Sequence, residues 1–144
     1  MKIEIKRLND AFHLEAVNEQ GRSVHLDASP DIGGTNLGMR PMQLVLSALG
    51  GCSTMDIINI LKKQREPLRD IRIEVTAERQ KDEIPSLFTK VHVHFKLFGD
   101  INVAKAEKAI SLGVEKYCSV ARILEKTALV THSFEIIRNE DEEK

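Results

Sequence analysis

The pattern of the sequence predicts an α+β protein with a mostly antiparallel sheet of about six strands. Apolar and polar residues alternate in six short stretches, as they do in strands with one buried face. One long apolar stretch, residues 41–61, is instead typical of a helix and separates the first three strands from the next two. A chain of 144 residues suits one domain, so a single domain over residues 1–144 is predicted.

The first third of the chain predicts three short strands. They are expected at residues 2–7, 12–17 and 23–27. Asn9-Asp10 and the segment 18–21 supply residues that favour tight turns between them. Short strands joined by tight turns indicate an antiparallel meander.

A long loop, residues 29–40, leads into the helix that begins at Pro41, where a missing N–H costs nothing. The helix is expected to end before Pro67. Its apolar stripe is so wide that almost the whole helix is predicted to be buried. Because one sheet covers only one side of a helix, the other side is expected to pack against a second copy of the chain.

The second half of the chain predicts further strands and two helices. The strands are expected at residues 71–78, 89–97 and 128–137, and the helices at residues 103–115 and 119–125. Asn102 is the expected N-cap of the first of these helices.

Composition narrows the class of protein. The formal net charge is −1 and acidic and basic residues are interspersed, which excludes a basic surface for nucleic-acid binding.

The apolar stretch is about as long as a membrane span, yet it contains Asp56 and the Gly50-Gly51 pair. We interpret it as the core helix of a soluble, cytoplasmic protein without a membrane span. The acidic tail, residues 139–144, is expected to be flexible.

Cys52 and Cys118 are the two cysteines of the chain. A cytoplasmic location disfavours a permanent disulfide, so they are either inert core residues or groups that do chemistry. Cys52 follows Gly50-Gly51, and glycines inside a helix suggest close approach of another backbone or a substrate. Cys118 lies at a junction between helices, where unsatisfied N–H groups favour a thiolate. Their separation of 66 positions excludes a C-x-x-C redox motif and a zinc ribbon.

The histidines do not indicate a metal site. His92 and His94 form an H-x-H pattern on one face of a predicted strand, and their apolar neighbours face inward. Both histidines are therefore expected to face solvent, and no metal is predicted.

The run from Gly38 to Cys52, followed by Tyr117-Cys118-Ser119-Val120, resembles the OsmC/Ohr family of osmotic-stress and organic-hydroperoxide-resistance proteins. The resemblance implies an intertwined homodimer in which sheets wrap two long central helices, with the sites at the dimer interface. It also implies thiol-dependent reduction of organic or hydrogen peroxides in stress defence. Cys52 would be the peroxidatic thiol and Cys118 the resolving thiol.

The resemblance implies no bound cofactor and an external dithiol as reductant. Pocket residues carried over with it are Met42, Gly51 and Tyr117. The peroxidase branches have Pro-Glu where this chain has Pro41-Met42, and they hold the thiolate with an arginine from the N-terminal strands. Arg7 and Arg22 are candidates for that arginine, and Arg40 is a candidate if it comes from a partner chain.

Two alternatives to the peroxidase remain open. Met42 makes the pocket more apolar, which favours a non-enzymatic protein that binds a small apolar ligand in the interface pocket. In the other alternative both cysteines are plain core residues.

Overall fold

The computed structural model describes residues 1–139, which form two compact units divided after Val45. Most of the expected acidic tail, residues 140–144, lies outside the described residues. Because the chain divides into two units, the single domain that was expected over residues 1–144 stays a prediction. The α+β class is confirmed, and the strands fall into two three-stranded sheets.

The first unit is the predicted antiparallel meander. Its strands are β1 (Ile3–Arg7), β2 (Leu14–Asn18) and β3 (Ser23–Leu26), in the order β1-β2-β3. Ala16 of β2 lies opposite Ile5 and Val24, so apolar side chains share one face across the sheet. The loop after β3 contains a short 3₁₀ turn, Pro30–Ile32, which the sequence analysis did not predict.

Asp27 organises that loop. The side chain is 2% exposed and accepts hydrogen bonds from the Thr35 hydroxyl (2.6 Å) and from the N–H groups of Ala28 (2.7 Å) and Leu37 (3.1 Å). The Thr35 hydroxyl, with these N–H groups, outweighs the opposing effect of burial and lowers the pKa of Asp27 to about 2. An ionised carboxylate therefore holds the loop in place at neutral pH.

Helix α1 (Pro41–Lys63) begins where Pro41 predicted and is 23 residues long. One face of it is buried, at positions Leu49, Gly50, Ser53, Thr54, Ile57 and Leu61. The expectation that almost the whole helix is buried is wrong within one chain, since Met55 is 73% and Ile58 is 41% exposed. By length and composition this helix could also cross a membrane, a test that core helices of soluble proteins pass as well.

The second unit contains a sheet of three strands. Strand β5 (Phe88–Phe98) is central, antiparallel to β4 (Asp70–Arg79) and parallel to β6 (Leu129–Ile137). Alternate residues of β5 form the core of this unit, namely Val91, Val93, Phe95 and Leu97. Helix α1 packs closely on β4 at Gly50. A Cβ atom added at this position would lie only 3.2 Å from Cγ2 of Val75 and 3.6 Å from Cγ2 of Ile73.

Two further helices lie between β5 and β6. Helix α2 (Val103–Ser111) is capped by Asn102, whose side chain accepts from the N–H of Lys105 at 3.1 Å, as predicted. The predicted helix 103–115 ends at Ser111, because the chain widens into a π-helical segment, Leu112–Tyr117, before helix α3 (Ser119–Leu124). Such widened turns are rare and occur frequently at functional sites.

Candidate functional site: a thiol pair in the second unit

Cys52 lies in α1 and is half-buried. Its neighbour Ser53 is fully buried and donates to the carbonyl of Leu49 at 2.8 Å, which keeps that hydroxyl satisfied inside the helix. The two preceding glycines differ in their surroundings. Gly50 allows α1 to approach β4, whereas a side chain at Gly51 would meet no atom within 4 Å. The helix is therefore open beside Gly51, one residue before the thiol.

Cys118 is fully buried at the start of α3. Its backbone is extended, and its sulfur accepts a hydrogen bond from the N–H of Ala121 at 3.4 Å. Cysteine therefore takes the N-cap position that a serine or an aspartate commonly occupies.

The structure brings the two thiols together. Both are free, and the side chains of Cys52 and Cys118 are joined by a hydrogen bond. Burial raises the pKa of Cys118, the Ala121 N–H opposes this, and the hydrogen bond with Cys52 raises it further. The sequence predicted that N–H groups at this junction would favour a thiolate at Cys118. The N–H groups of Ala121 and Val120 are present, but burial of the sulfur has the larger effect, so the neutral thiol is favoured.

Gly113 is the residue that lets the π-helical segment reach α1. A side chain at this position would lie 2.6 Å from Cγ1 of Ile57 and 3.3 Å from the carbonyl oxygen of Ser53. The backbone of the segment thus packs directly on α1, one turn after Cys52. This contact, together with the widened turns, places Cys118 beside Cys52.

Arg122, which the sequence analysis did not single out, ties the π-helical segment to α3. Its guanidinium donates to the carbonyl oxygens of Glu115 and Val114 and forms an ion pair with Glu125 at 2.9 Å. These are carbonyls at the end of a helical segment, which lack partners within the segment. A basic residue four positions after the cysteine was the available signal in the sequence.

Two of the three candidate arginines of the first unit, Arg7 and Arg40, have local partners, and Arg22 is exposed. Arg7 donates to the carbonyl oxygens of Ala11 (2.9 Å) and Asp10. Arg40 donates to the Gly38 carbonyl oxygen (3.1 Å) and to Oδ1 of Asn36 (2.9 Å). Both guanidinium groups therefore stabilise the loops around them. The prediction that an arginine activates Cys52 stays a prediction.

The predicted pocket residues lie in different places. Met42 is half-buried in the first turn of α1, and Gly51 is half-buried beside Cys52. Tyr117 is 50% exposed and lines a polar groove of the second unit. The ammonium group of Lys116 lies over its ring, 5.3 Å from the ring centroid. The first unit has an apolar cavity of its own, of about 400 Å³, lined by Phe12, Leu14, Leu26, Ile32 and the charged Arg40, among others.

The sequence predicted that the two histidines of β5 face solvent, but the structure shows that both are partly buried. Both His92 and His94 are half-buried, because each ring is held by side chains of the neighbouring strand β6. Ser133 bonds to both rings at 2.7 Å, while His94 also contacts Glu135 at 3.1 Å. Within residues 1–139, no three His, Cys, Asp or Glu side chains gather as a metal site would require.

With the thiol pair and the fold described, comparison with known proteins decides the family. The model of the family described as "OsmC-like protein" matches residues 34–133, a segment that includes both cysteines. The chain belongs to the OsmC-like protein family. The resemblance seen in the sequence is thereby confirmed.

Relatives of this OsmC-like protein agree with that assignment. Protein YhfA of Escherichia coli strain K12 is 45% identical over 98 residues, which cover 67% of this chain and 72% of YhfA. A crystal structure of a hypothetical protein from Aquifex aeolicus VF5 has 26% identity and a TM-score of 0.82, covering 96% of this chain and 97% of that one.

A third comparison concerns the fold alone. The structure of an organic hydroperoxide resistance protein OsmC from Legionella pneumophila has 17% identity and a TM-score of 0.69, covering 94% of this chain and 97% of that one. The α+β architecture is therefore shared with a protein that is named for hydroperoxide resistance.

Proposed function

We propose that this OsmC-like protein reduces organic or hydrogen peroxides, with Cys52 as the peroxidatic thiol and Cys118 as the resolving thiol. The hydrogen bond between the two side chains is the observation that carries the proposal. Two thiols in direct contact are placed to form a disulfide. Family membership and the named role of the Legionella relative support the same chemistry.

The accessible and the buried thiol have separate roles in this reaction. The half-buried Cys52 attacks the peroxide, and its sulfur takes one oxygen to form a sulfenic acid while an alcohol leaves. The buried Cys118 then attacks that sulfur, water leaves, and a disulfide forms. The sulfenic acid would otherwise meet solvent and excess peroxide, so a resolving thiol already in contact limits its overoxidation. An external dithiol completes the cycle by reducing the disulfide.

Stopped-flow measurements with cumene hydroperoxide test the two roles. Cys52→Ser should lose peroxide consumption, while Cys118→Ser should consume one equivalent per chain and accumulate a sulfenic acid that dimedone traps. The parent protein should give an intramolecular disulfide. If Cys52→Ser consumes peroxide as fast as the parent, the proposed function is wrong. Two slow, unreactive thiols in the parent would favour the alternative in which both cysteines are core residues.

We also propose that the protein is a homodimer and acts in the cytoplasm. The exposed apolar side chains of α1, Met55 and Ile58, support association through this helix. A second copy of the chain offers the same apolar face, so a twofold contact would cover both.

A binding function is a second candidate, which the apolar cavity of the first unit favours. Its volume of about 400 Å³ lies in the range of small-ligand pockets, and its walls are mostly apolar. Calorimetric titration with an apolar carboxylic acid tests this candidate, because Arg40 lies at the cavity. Binding that Leu14→Asp removes, with no peroxide consumption by the parent, would favour the binding protein over the enzyme.

A further inference from the structure

A polar groove of the second unit is lined by residues of α1, α2 and the π-helical segment. Its volume is about 450 Å³, which is in the range of small-molecule sites. Its lining is mostly polar and consists of Asp56, Asn59, Lys63, Gln64, Lys108 and Tyr117, with the apolar Ile60 and Leu112 between them. Met55 and Ile58, through which we propose the homodimer, do not line the groove, so it lies apart from the proposed contact between copies.

The charged side chains of the groove are unpaired within residues 1–139. Lys63 and Lys108 form no ion pair there, and neither does Asp56. By contrast, the ammonium group of Lys105 is paired with Glu66 at 3.0 Å. The groove therefore presents two ammonium groups and one carboxylate to a ligand.

Two amide side chains of the groove also lack partners in the described part of the chain. The Oε1 atom of Gln64 is buried and accepts no hydrogen bond there, and the side-chain amide of Asn59 makes none. Leaving a buried acceptor unpaired is costly, and most such atoms in folded proteins have a partner. A ligand that donates an N–H group would satisfy the Gln64 oxygen.

The spacing along α1 leaves room for a ligand between the opposite charges. Lys63 follows Asp56 by seven residues, which correspond to two turns and about 10 Å along the helix axis. Both residues therefore lie on one face of the helix, and the lysine side chain leans back towards the aspartate. A small molecule that carries both an ammonium group and a carboxylate can bridge the two side chains.

The carboxylate of Asp56 decides which kind of anion fits the groove. A phosphate or a plain dicarboxylate would bring negative charge beside Asp56, and like charges placed together are unfavourable. A ligand with an ammonium group beside its carboxylates avoids this repulsion and forms a charge-assisted hydrogen bond with Asp56 instead. Two lysines and one aspartate are thus matched by two carboxylates and one ammonium group.

We propose that this groove binds an acidic amino acid, the smallest common ligand with two carboxylates and one ammonium group. Lys63 and Lys108 bind the carboxylates, and Asp56 binds the ammonium group. The Gln64 oxygen accepts a second N–H of that ammonium group, and the Asn59 amide donates to a carboxylate. The site takes no part in the peroxide chemistry, so the inference goes beyond the proposed function.

Calorimetric titration with L-glutamate, L-glutamine and glutarate tests the proposal. Glutamine lacks one carboxylate charge and glutarate lacks the ammonium group, so each should bind the parent about threefold to fivefold more weakly than glutamate, as one exposed ionic contact allows. The variant Lys63→Gln/Lys108→Gln should bind glutamate about tenfold more weakly. Asp56→Asn should weaken glutamate about fivefold without weakening glutarate. Lys62→Gln, an exposed lysine that does not line the groove, is the matched control and should leave all three affinities unchanged.

Four outcomes would each overturn the proposal. They are no saturable binding of glutamate by the parent, equal affinities for glutamate and glutamine, glutamate binding that is unchanged in Lys63→Gln/Lys108→Gln, and equal losses of glutamate and glutarate in Asp56→Asn. The last would mean a structural effect of the substitution rather than a lost contact with the ammonium group. Because the titrations contain no peroxide, failure of this proposal and failure of the proposed function are distinguished.

Discussion

At the scale of single residues, burial and hydrogen bonds decide the charge of the functional groups. Cys118 and Asp27 are both buried and both accept backbone N–H bonds, yet their pKa values shift in opposite senses. Asp27 accepts from a hydroxyl and three N–H groups, which outweigh burial. Cys118 has two N–H groups and a thiol neighbour, and burial dominates. The number of donors around each atom accounts for the difference.

The raised pKa of Cys118 predicts the pH dependence of disulfide formation. The resolving thiol must lose its proton to attack, and its pKa is above the ordinary value of 9.0. We therefore expect the rate of disulfide formation after a peroxide pulse to rise about tenfold per pH unit up to that raised pKa. Stopped-flow recording of the second kinetic phase between pH 6 and 10 measures this. A rate that is flat above about pH 7 would contradict the assignment.

The lowered pKa of Asp27 predicts loss of stability in acid. Its folded pKa of about 2 lies below the ordinary value of 3.8, so its stabilising contribution is present above about pH 4 and disappears as the pH falls towards 2. Asp27→Asn should lower Tm by several degrees at pH 7, and the difference from the parent should vanish near pH 2. Asp31→Asn, an exposed aspartate of the same loop, is the control. A difference that persists unchanged at pH 2 would exclude the carboxylate charge as its cause.

At the scale of elements, the contact between the π-helical segment and α1 builds the site. The segment carries Cys118 at its end, and Gly113 lets it lie directly on Ile57. Because interiors are close-packed, even one added methyl group must displace a neighbour here. The site therefore depends on a glycine that touches neither thiol.

Gly113→Ala should destabilise the protein by about 1–3 kcal/mol, because its Cβ would lie 2.6 Å from Ile57. It should also slow disulfide formation by moving Cys118 away from Cys52. Lys116→Ala, at an exposed position of the same segment, is the matched control and should change the free energy of unfolding by less than about 0.5 kcal/mol. Urea unfolding measures both. Equal effects of the two substitutions would contradict this account of the packing.

At the scale of the whole molecule, helix α1 presents an exposed apolar face. One face of the helix is buried within the chain, while Met55 and Ile58 remain exposed. Large apolar side chains grouped on one helix face are typical of an interface. The homodimer that the family resemblance implies would cover this face.

Met55→Asp should weaken the homodimer at least about tenfold, because association would bury an unpaired charge. Light scattering coupled to size-exclusion chromatography over a range of concentrations measures the change. Val103→Asp replaces an exposed apolar residue of α2, which is 53% exposed, and serves as control. A parent that is monomeric at all concentrations would contradict the proposed homodimer.

The sequence by itself determined much of this protein. Alternation of apolar residues placed all six strands within about two residues of their observed ends, and Pro41 marked the start of α1. The run ending at Cys52, together with the residues around Cys118, identified the family. These features are local, because strand faces, caps and motifs depend on residues that are close in the chain.

Tertiary structure alone decided the rest. The contact of Gly113 with Ile57 joins residues that are far apart in the sequence. The π-helical segment and the hydrogen bonds from Arg122 to Glu115 and Val114 are closer in the chain, but no apolar period marks them. The direction of the pKa shift of Cys118 likewise depends on its complete burial, which the junction position did not reveal. Burial and charge balance are sums over all neighbours in space, so a pattern along the chain does not contain them.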